Sequence, residues 1–284
     1  MPNVFVAQVA SALSFSKPSW FPGLSKVLIQ AWGEASQAAS FDYRTSHYVG
    51  GPDCNPRWVQ TLEAGEGKLT CLEVLAPAVE APYQGQGLSF LSAHEVAESP
   101  KAIFHDALST DAIPASLLAS VTDLAKATHL LRSAGEGMDT SHSDPALPFS
   151  VFVSVPAVHE RFAALRLAEG FIHEAMHLQL SLIERVLPMI HDSELTFFSP
   201  WRGGHRPVGG VLHGLYVFAV IHEWLSLRGP ACAYAQRRLP EIGEEVSQLA
   251  AFADADGLTP VGAQLARRLF DSVLPKSSGN AAPR

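Results

Sequence analysis

The run Arg166-Leu167-Ala168-Glu169-Gly170-Phe171-Ile172-His173-Glu174-Ala175-Met176-His177-Leu178-Gln179-Leu180 decides how the rest of the chain is read. Its apolar residues, Leu167, Ala168, Phe171, Ile172, Ala175, Met176 and Leu178, point in nearly every direction around a helical turn. That pattern predicts a helix buried on all sides. Between residues 161 and 186 there is no proline, Gly170 alone is a poor helix former, and Pro188 supplies a stop. The helix is expected over about residues 158–187.

Within it, His173 and His177 stand four residues apart and so share one helix face, offering two imidazoles from consecutive turns to a single cation. Two imidazoles on a buried helix beside a carboxylate need partners, and a bound metal supplies one. A third ligand has to come from elsewhere. Glu184 lies near the same face, but seven residues beyond His177 is about 10 Å of rise, which places it around the metal or against substrate rather than on the ion. The other candidates are His191, Glu194, His205, His213, His222 and Glu223. His213 is favoured, because it begins a second apolar helix, about residues 211–227, in which Gly209, Gly210 and Gly214 would let two helices approach closely. The pairs His94-Glu95, His159-Glu160 and His222-Glu223 lack further ligand spacing and read as ordinary polar positions.

Toward the N-terminus the signals are weaker. Residues 24–39 have helical spacing, residues 69–75 and 88–91 read as two short strands around a Pro/Gly-rich segment, and Pro114 opens an amphipathic pattern through Leu117, Leu118, Val121, Leu124, Ala125 and Leu131. Residues 135–144 collect Gly, Asp, Ser and Thr and read as an exposed loop, followed by an extended stretch over 149–155. Beyond residue 227 two more helices are expected before a small, polar tail. The reading is therefore a mainly α-helical metalloenzyme, with its site between helices of the C-terminal half and a small β contribution in the N-terminal half. It divides into a mixed region at 1–149 that contributes substrate contacts, a helical metal-binding region at 150–274 and a disordered tail at 275–284.

The 284 residues carry a formal net charge of −8, with acidic residues spread along the chain, which argues against nucleic acid or an anionic membrane as partner. Cys54, Cys71 and Cys232 are odd in number and show no CxxC spacing, so neither a disulfide framework nor a thiolate zinc site is expected. No Lys or Arg precedes Lys17, and no apolar run approaches the roughly 20 residues of a membrane helix. A cytoplasmic protein with no membrane partner is expected.

The surroundings of the motif are more specific than the motif. The segment from Arg166 through His173-Glu174-Ala175-Met176-His177 to Glu184, then Ser199-Pro200-Trp201-Arg202-Gly203-Gly204-His205-Arg206-Pro207, then Gly209-Gly210-Val211-Leu212-His213-Gly214, resembles the HExxH-type peptide β-hydroxylases, maturation enzymes of ribosomally made peptide natural products. The resemblance covers about residues 150–230. It implies iron(II), 2-oxoglutarate and O2 as cofactor and co-substrates, a precursor peptide as substrate, and hydroxylation of a side-chain β-carbon coupled to oxidative decarboxylation of the keto acid to succinate. A dicarboxylate co-substrate needs its far carboxylate held, a task suited to the planar fork of Arg202 or Arg206. Trp201, like Glu184, is expected around the metal or against substrate. Glu174 would then orient a ligand or contact substrate. The competing reading is a zinc metallopeptidase with Glu174 as general base and Glu194 or His213 as third ligand. It lacks the HExxHxxGxxH extension, since Leu180 stands three residues after His177. A third reading is a non-catalytic peptide-binding subunit, for which the histidines would be dispensable.

Overall fold

The two central strands of the molecule are the fully buried runs Ala127–Leu131 and Ser150–Ser154, and they show no apolar/polar alternation because both of their faces are covered. The computed structural model describes residues 2–13, 23–35, 57–64, 67–145, 147, 149–191 and 194–274. The chain falls into two units, Met1–Leu187 and Pro188–Arg284; the sequence reading had placed the internal boundary at 149/150. The first unit contains α1 (Pro2–Leu13), α2 (Leu24–Ala35), β1 (Arg57–Ala64), β2 (Gly67–Val74), α3 (Pro77–Gly85), α4 (Ala93–Glu98), α5 (Lys101–Ala107), α6 (Ala115–Leu124), β3 (Ala127–Leu131), β4 (Ser141–His142), β5 (Ser150–Ser154) and α7 (Ala163–Val186).

The strands form one mixed sheet in the order β1-β2-β3-β5-β4, parallel at β2/β3 and β3/β5 and antiparallel at its two edges. One face is covered by α7, whose Gly170 lies against Val153. The other carries Phe152 and Leu131, packed with Tyr83 of α3 and with Leu75 and Leu147. α7 is enclosed by β4 and β5 and by α1, α2, α5 and α6, which accounts for its all-round apolar sequence. Phe171, Ile172, Ala175 and Met176 are fully buried, and side chains of the size of the Phe, Ile and Met contribute about 1.5–3 kcal/mol each.

The fold class is thus corrected. The described residues are about 54% helical with about 17% strand, and the first unit is organised around a mixed five-stranded sheet, so this is a mixed α and β protein rather than a mainly α one. The error arose at Leu124, Ala125 and Leu131, whose helical spacing continues past the end of α6. The helix stops at Leu124, and residues 127–131 form the central strand. A short apolar run buried on both faces has no period of its own. Residues 88–91 make one isolated bridge, Phe90 to Leu131, because Ser92 then starts α4 through a reciprocal capping box with Glu95. The segment before it is helix α3, with Pro77 in its first turn. Strand β2 and the extended stretch at β5 match the sequence reading, and α2 matches over the described part of 24–39. Residues 36–39, Cys54 and the tail at 275–284 lie outside the described residues.

The second unit holds the hairpin of β6 (Thr196–Ser199) and β7 (Gly204–Pro207), then α8 (Val208–Ser226), α9 (Ala233–Ser247), a short tight turn at Phe252–Asp254 and α10 (Pro260–Val273). α9 and α10 pack on α8, burying Tyr216, Val217, Ile221, Trp224 and Leu225. α8 is long and apolar enough to cross a membrane, which the sequence reading had not recognised, yet 61% of that window is buried inside the protein. It is the core helix of this unit. At the start of α10 the backbone of Gly262 passes so close to Met189 that a Cβ there would lie 2.1 Å from its carbonyl oxygen.

Candidate metal-binding helix and its serine clamp

The interior of α7 holds its two histidines in register. The His173 and His177 rings lie 4.8 Å apart at 63°, and their Nε2 atoms approach to 3.2 Å. Two neutral imidazoles meet in this way only when one nitrogen carries a proton and the other accepts it, or when a cation sits between them. The separation fits a metal. With nitrogen–metal distances of about 2.1 Å, ligand atoms 3.2 Å apart subtend an angle of about 100° at the ion, within the range of neighbouring positions in tetrahedral and octahedral shells.

Glu174 points elsewhere. It is buried, its Oε1 accepts a 2.5 Å hydrogen bond from the Ser141 hydroxyl, and its Oε2 accepts one of 2.6 Å from Ser143. Strand alternation makes this clamp, because residues 141 and 143 face α7 while His142 between them stacks on Phe152 on the opposite face of the sheet. Bonds from two hydroxyls offset the cost of burying a carboxylate. The Oε1 atom remains 3.9 Å from His173 Nε2.

The segment before β4, expected as an exposed loop, is stapled at every second or third residue. Glu160 accepts from the backbone of Gly137 at 2.9 Å. Arg166, one turn inside α7, grips Asp139 through Nε and Nη2 at 2.7 and 2.6 Å and reaches Glu160 through Nη1 at 2.8 Å. Thr140 and Ser154 exchange backbone and side-chain bonds of 2.8 Å, and Tyr83 donates to Asp144 at 2.8 Å. The Arg166 guanidinium, with the Gly137 and Ala157 N–H groups, holds the Glu160 carboxyl at about 2. Sequence reading missed Ser141, Ser143, Asp139 and Arg166. The available signal was the Ser-x-Ser alternation and the place of Arg166 seven residues before His173, on the same helix face.

The remaining candidates lie in the second unit, apart from Glu184, which is half-buried near the end of α7. His213 is half-buried on α8. Arg202 and Arg206 are both exposed on the β6–β7 hairpin. Trp201 lies flat on α8, stacked on Phe218 at 4.9 Å and 13°, and a Cβ at Gly214 would come within 2.4 Å of its ring. The atoms nearest to a Cβ at Gly209, Gly210 and Gly214 are side chains of Ile190, Arg206 and Trp201, so these glycines admit side chains where the approach of a second helix was expected. His191, Glu194 and His205 are exposed, and burial holds the His222 imidazole below its ordinary value. Glu95 and Glu160 of the two other His-Glu pairs in the first unit serve as anchors for Arg132 and Arg166. Among the described residues, no three His, Cys, Asp or Glu side chains converge tightly enough to hold a metal ion. No family model matches the chain, and no curated protein does either.

Proposed function

We propose that the chain is an iron(II)- and 2-oxoglutarate-dependent hydroxylase acting on a side-chain β-carbon of a ribosomally made precursor peptide, as its resemblance to the HExxH-type peptide β-hydroxylases implies. The observation that supports this reading over a zinc peptidase is the clamp on Glu174. A general base must be free to take a proton from a metal-bound water. Here both carboxylate oxygens accept short bonds from Ser141 and Ser143 inside the protein, an arrangement suited to fixing α7 and hence the direction of the neighbouring His173.

In this reading His173 and His177 supply two nitrogen ligands and His213 is proposed as the third. Iron(II) with 2-oxoglutarate and O2 supplies oxidative decarboxylation to succinate and carbon dioxide, with the second oxygen atom inserted into a substrate C–H bond. The chain's own task is to hold the imidazoles on a packed helix, clamp Glu174 against the Ser141 and Ser143 hydroxyls, and present the peptide. Arg202 and Arg206, exposed on their hairpin, are available to a carboxylate of the co-substrate or of the peptide. Placement in the cytoplasm belongs to the same proposal and is supported by the odd number of cysteines without CxxC spacing.

The test is anaerobic loading of the apo-protein with iron(II) or zinc(II), addition of 2-oxoglutarate, then air. A weak visible band with iron and 2-oxoglutarate, followed by succinate release that is lost in His173→Ala, is the expected result. If 2-oxoglutarate neither perturbs the iron spectrum nor is consumed while zinc restores peptide cleavage, the peptidase reading replaces this one. If peptide binding persists in His173→Ala and neither reaction occurs, the chain is a binding subunit.

A further inference from the structure

Two adjacent arginines on α10 meet different fates. Arg267 is exposed and reaches Asp254 at 3.2 Å. Arg268 is turned inward, and its Nε and Nη2 atoms are both buried with no hydrogen-bond partner among the described residues. Burial without an anion holds this guanidinium below its ordinary value, and the group nearby that acts on it is the phenol of Tyr216 on α8, itself fully buried and pushed up. A buried guanidinium edge with two unfilled donors is among the costliest arrangements a core can hold.

The two unfilled atoms form the side-on fork of the guanidinium, the edge that binds a carboxylate through two parallel bonds. The same chain shows that edge filled, since Arg166 uses Nε and Nη2 to hold both oxygens of Asp139. We infer that the Nε/Nη2 edge of Arg268, between α8 and α10, is a binding site for one carboxylate group of a small organic acid. The planar fork matches the two in-plane oxygens of one carboxylate, whereas a tetrahedral phosphate would bring further charged oxygens to an edge that offers no more donors. The site itself stands on α8 and α10 alone. Only the identity of the acid as 2-oxoglutarate rests on the oxygenase reading.

The experiment uses the metal-free full-length chain, with succinate, 2-oxoglutarate, acetate and inorganic phosphate as probes at matched ionic strength, read by calorimetry and by thermal midpoint. Succinate and 2-oxoglutarate are expected to bind and raise the midpoint, with phosphate giving no more than a salt effect. Arg268→Met should weaken the acids about 30-fold or more, the consequence of losing a buried charge-assisted pair. Without ligand, Arg268→Met should unfold at or above the wild-type midpoint, because it removes an uncompensated buried charge. Arg268→Lys keeps the charge but not the fork and should bind weakly, whereas Arg267→Ala should bind as the wild type does. Unchanged acid binding in Arg268→Met, or phosphate binding as well as succinate, overturns the inference. Succinate binding lost in Arg268→Met without any turnover of 2-oxoglutarate leaves the site standing and removes the oxygenase reading. Turnover with an unchanged KM for 2-oxoglutarate, together with unchanged acid binding, in Arg268→Met does the reverse.

Discussion

Replacing Glu174 by glutamine separates its two candidate roles. As the acceptor of two serine hydroxyls, a carboxylate loses one acceptor oxygen on becoming an amide, and Glu174→Gln should cost about 1–3 kcal/mol in urea unfolding. Ser141→Ala and Ser143→Ala should each cost a comparable amount, and most of that cost should disappear in the Glu174→Gln background, a coupling that a double-mutant cycle measures. Additive costs would mean that the clamp carries no energy. His129 allows a separate test by pH. It is fully buried on β3 with Nδ1 3.1 Å from the Glu73 carbonyl, and burial pulls it down to about 4. Because the folded value lies below the unfolded one, the stability that this residue contributes is present above about pH 6.5 and is lost as pH falls toward 4. The loss amounts to roughly 3 kcal/mol over that window. Urea midpoints measured at pH 7.5 and pH 4.5 should differ less in His129→Gln than in the wild type; an equal drop in both would assign the acid sensitivity elsewhere.

At the scale of elements, α7 and the segment from Gly137 to Asp144 act as one piece. Arg166 is buried to 8% exposure and satisfies two carboxylates, so Arg166→Met strands Glu160 and frees the approach to β4. The expected cost is about 3 kcal/mol, with hydrogen exchange in residues 137–143 rising more than in β2 or β3. Uniform exchange across the sheet would show that the loop is held by its other bonds. α10 offers a steric counterpart. Gly262 sits beside the Met189 carbonyl, and Gly262→Ala should destabilise by about 1–3 kcal/mol in spite of the better helix propensity of alanine. The positions of α7 and α8 were legible because long apolar patterns with proline and glycine stops admit one reading, while of α9 and α10 only the number was read. β3 was not, because full burial on both faces erases the strand period and leaves a run that also suits a helix. The clamp was half legible: Ser141 and Ser143 alternate in the sequence, but only the pairing of β4 with β5 shows that they face α7.

For the whole molecule, the sequence pointed to a helix carrying two ligands, and that helix turned out to be the hub of a mixed α and β unit rather than a member of a helical bundle. The difference matters for metal binding. A pair of imidazoles held on a helix that is packed against a sheet edge and four other helices cannot drift apart, so much of the ordering cost of a binding site is met by folding itself. Conversely, an ion that binds the folded chain and not the unfolded one must stabilise the whole unit. Iron(II) under anaerobic conditions, or zinc(II), at about 100 times its dissociation constant should therefore add about 2.7 kcal/mol and raise the thermal midpoint by several degrees, reversibly with a chelator. His173→Ala and His177→Ala should each abolish the shift while leaving the metal-free midpoint near that of the wild type, since removing one of two facing imidazoles relieves as much as it loses. His213→Ala should reduce the shift if that residue is the third ligand and leave it intact if it is not. A metal-independent midpoint in the wild type would show that the 3.2 Å approach of the two Nε2 atoms is closed by a proton, and would remove the metal from every reading of this helix.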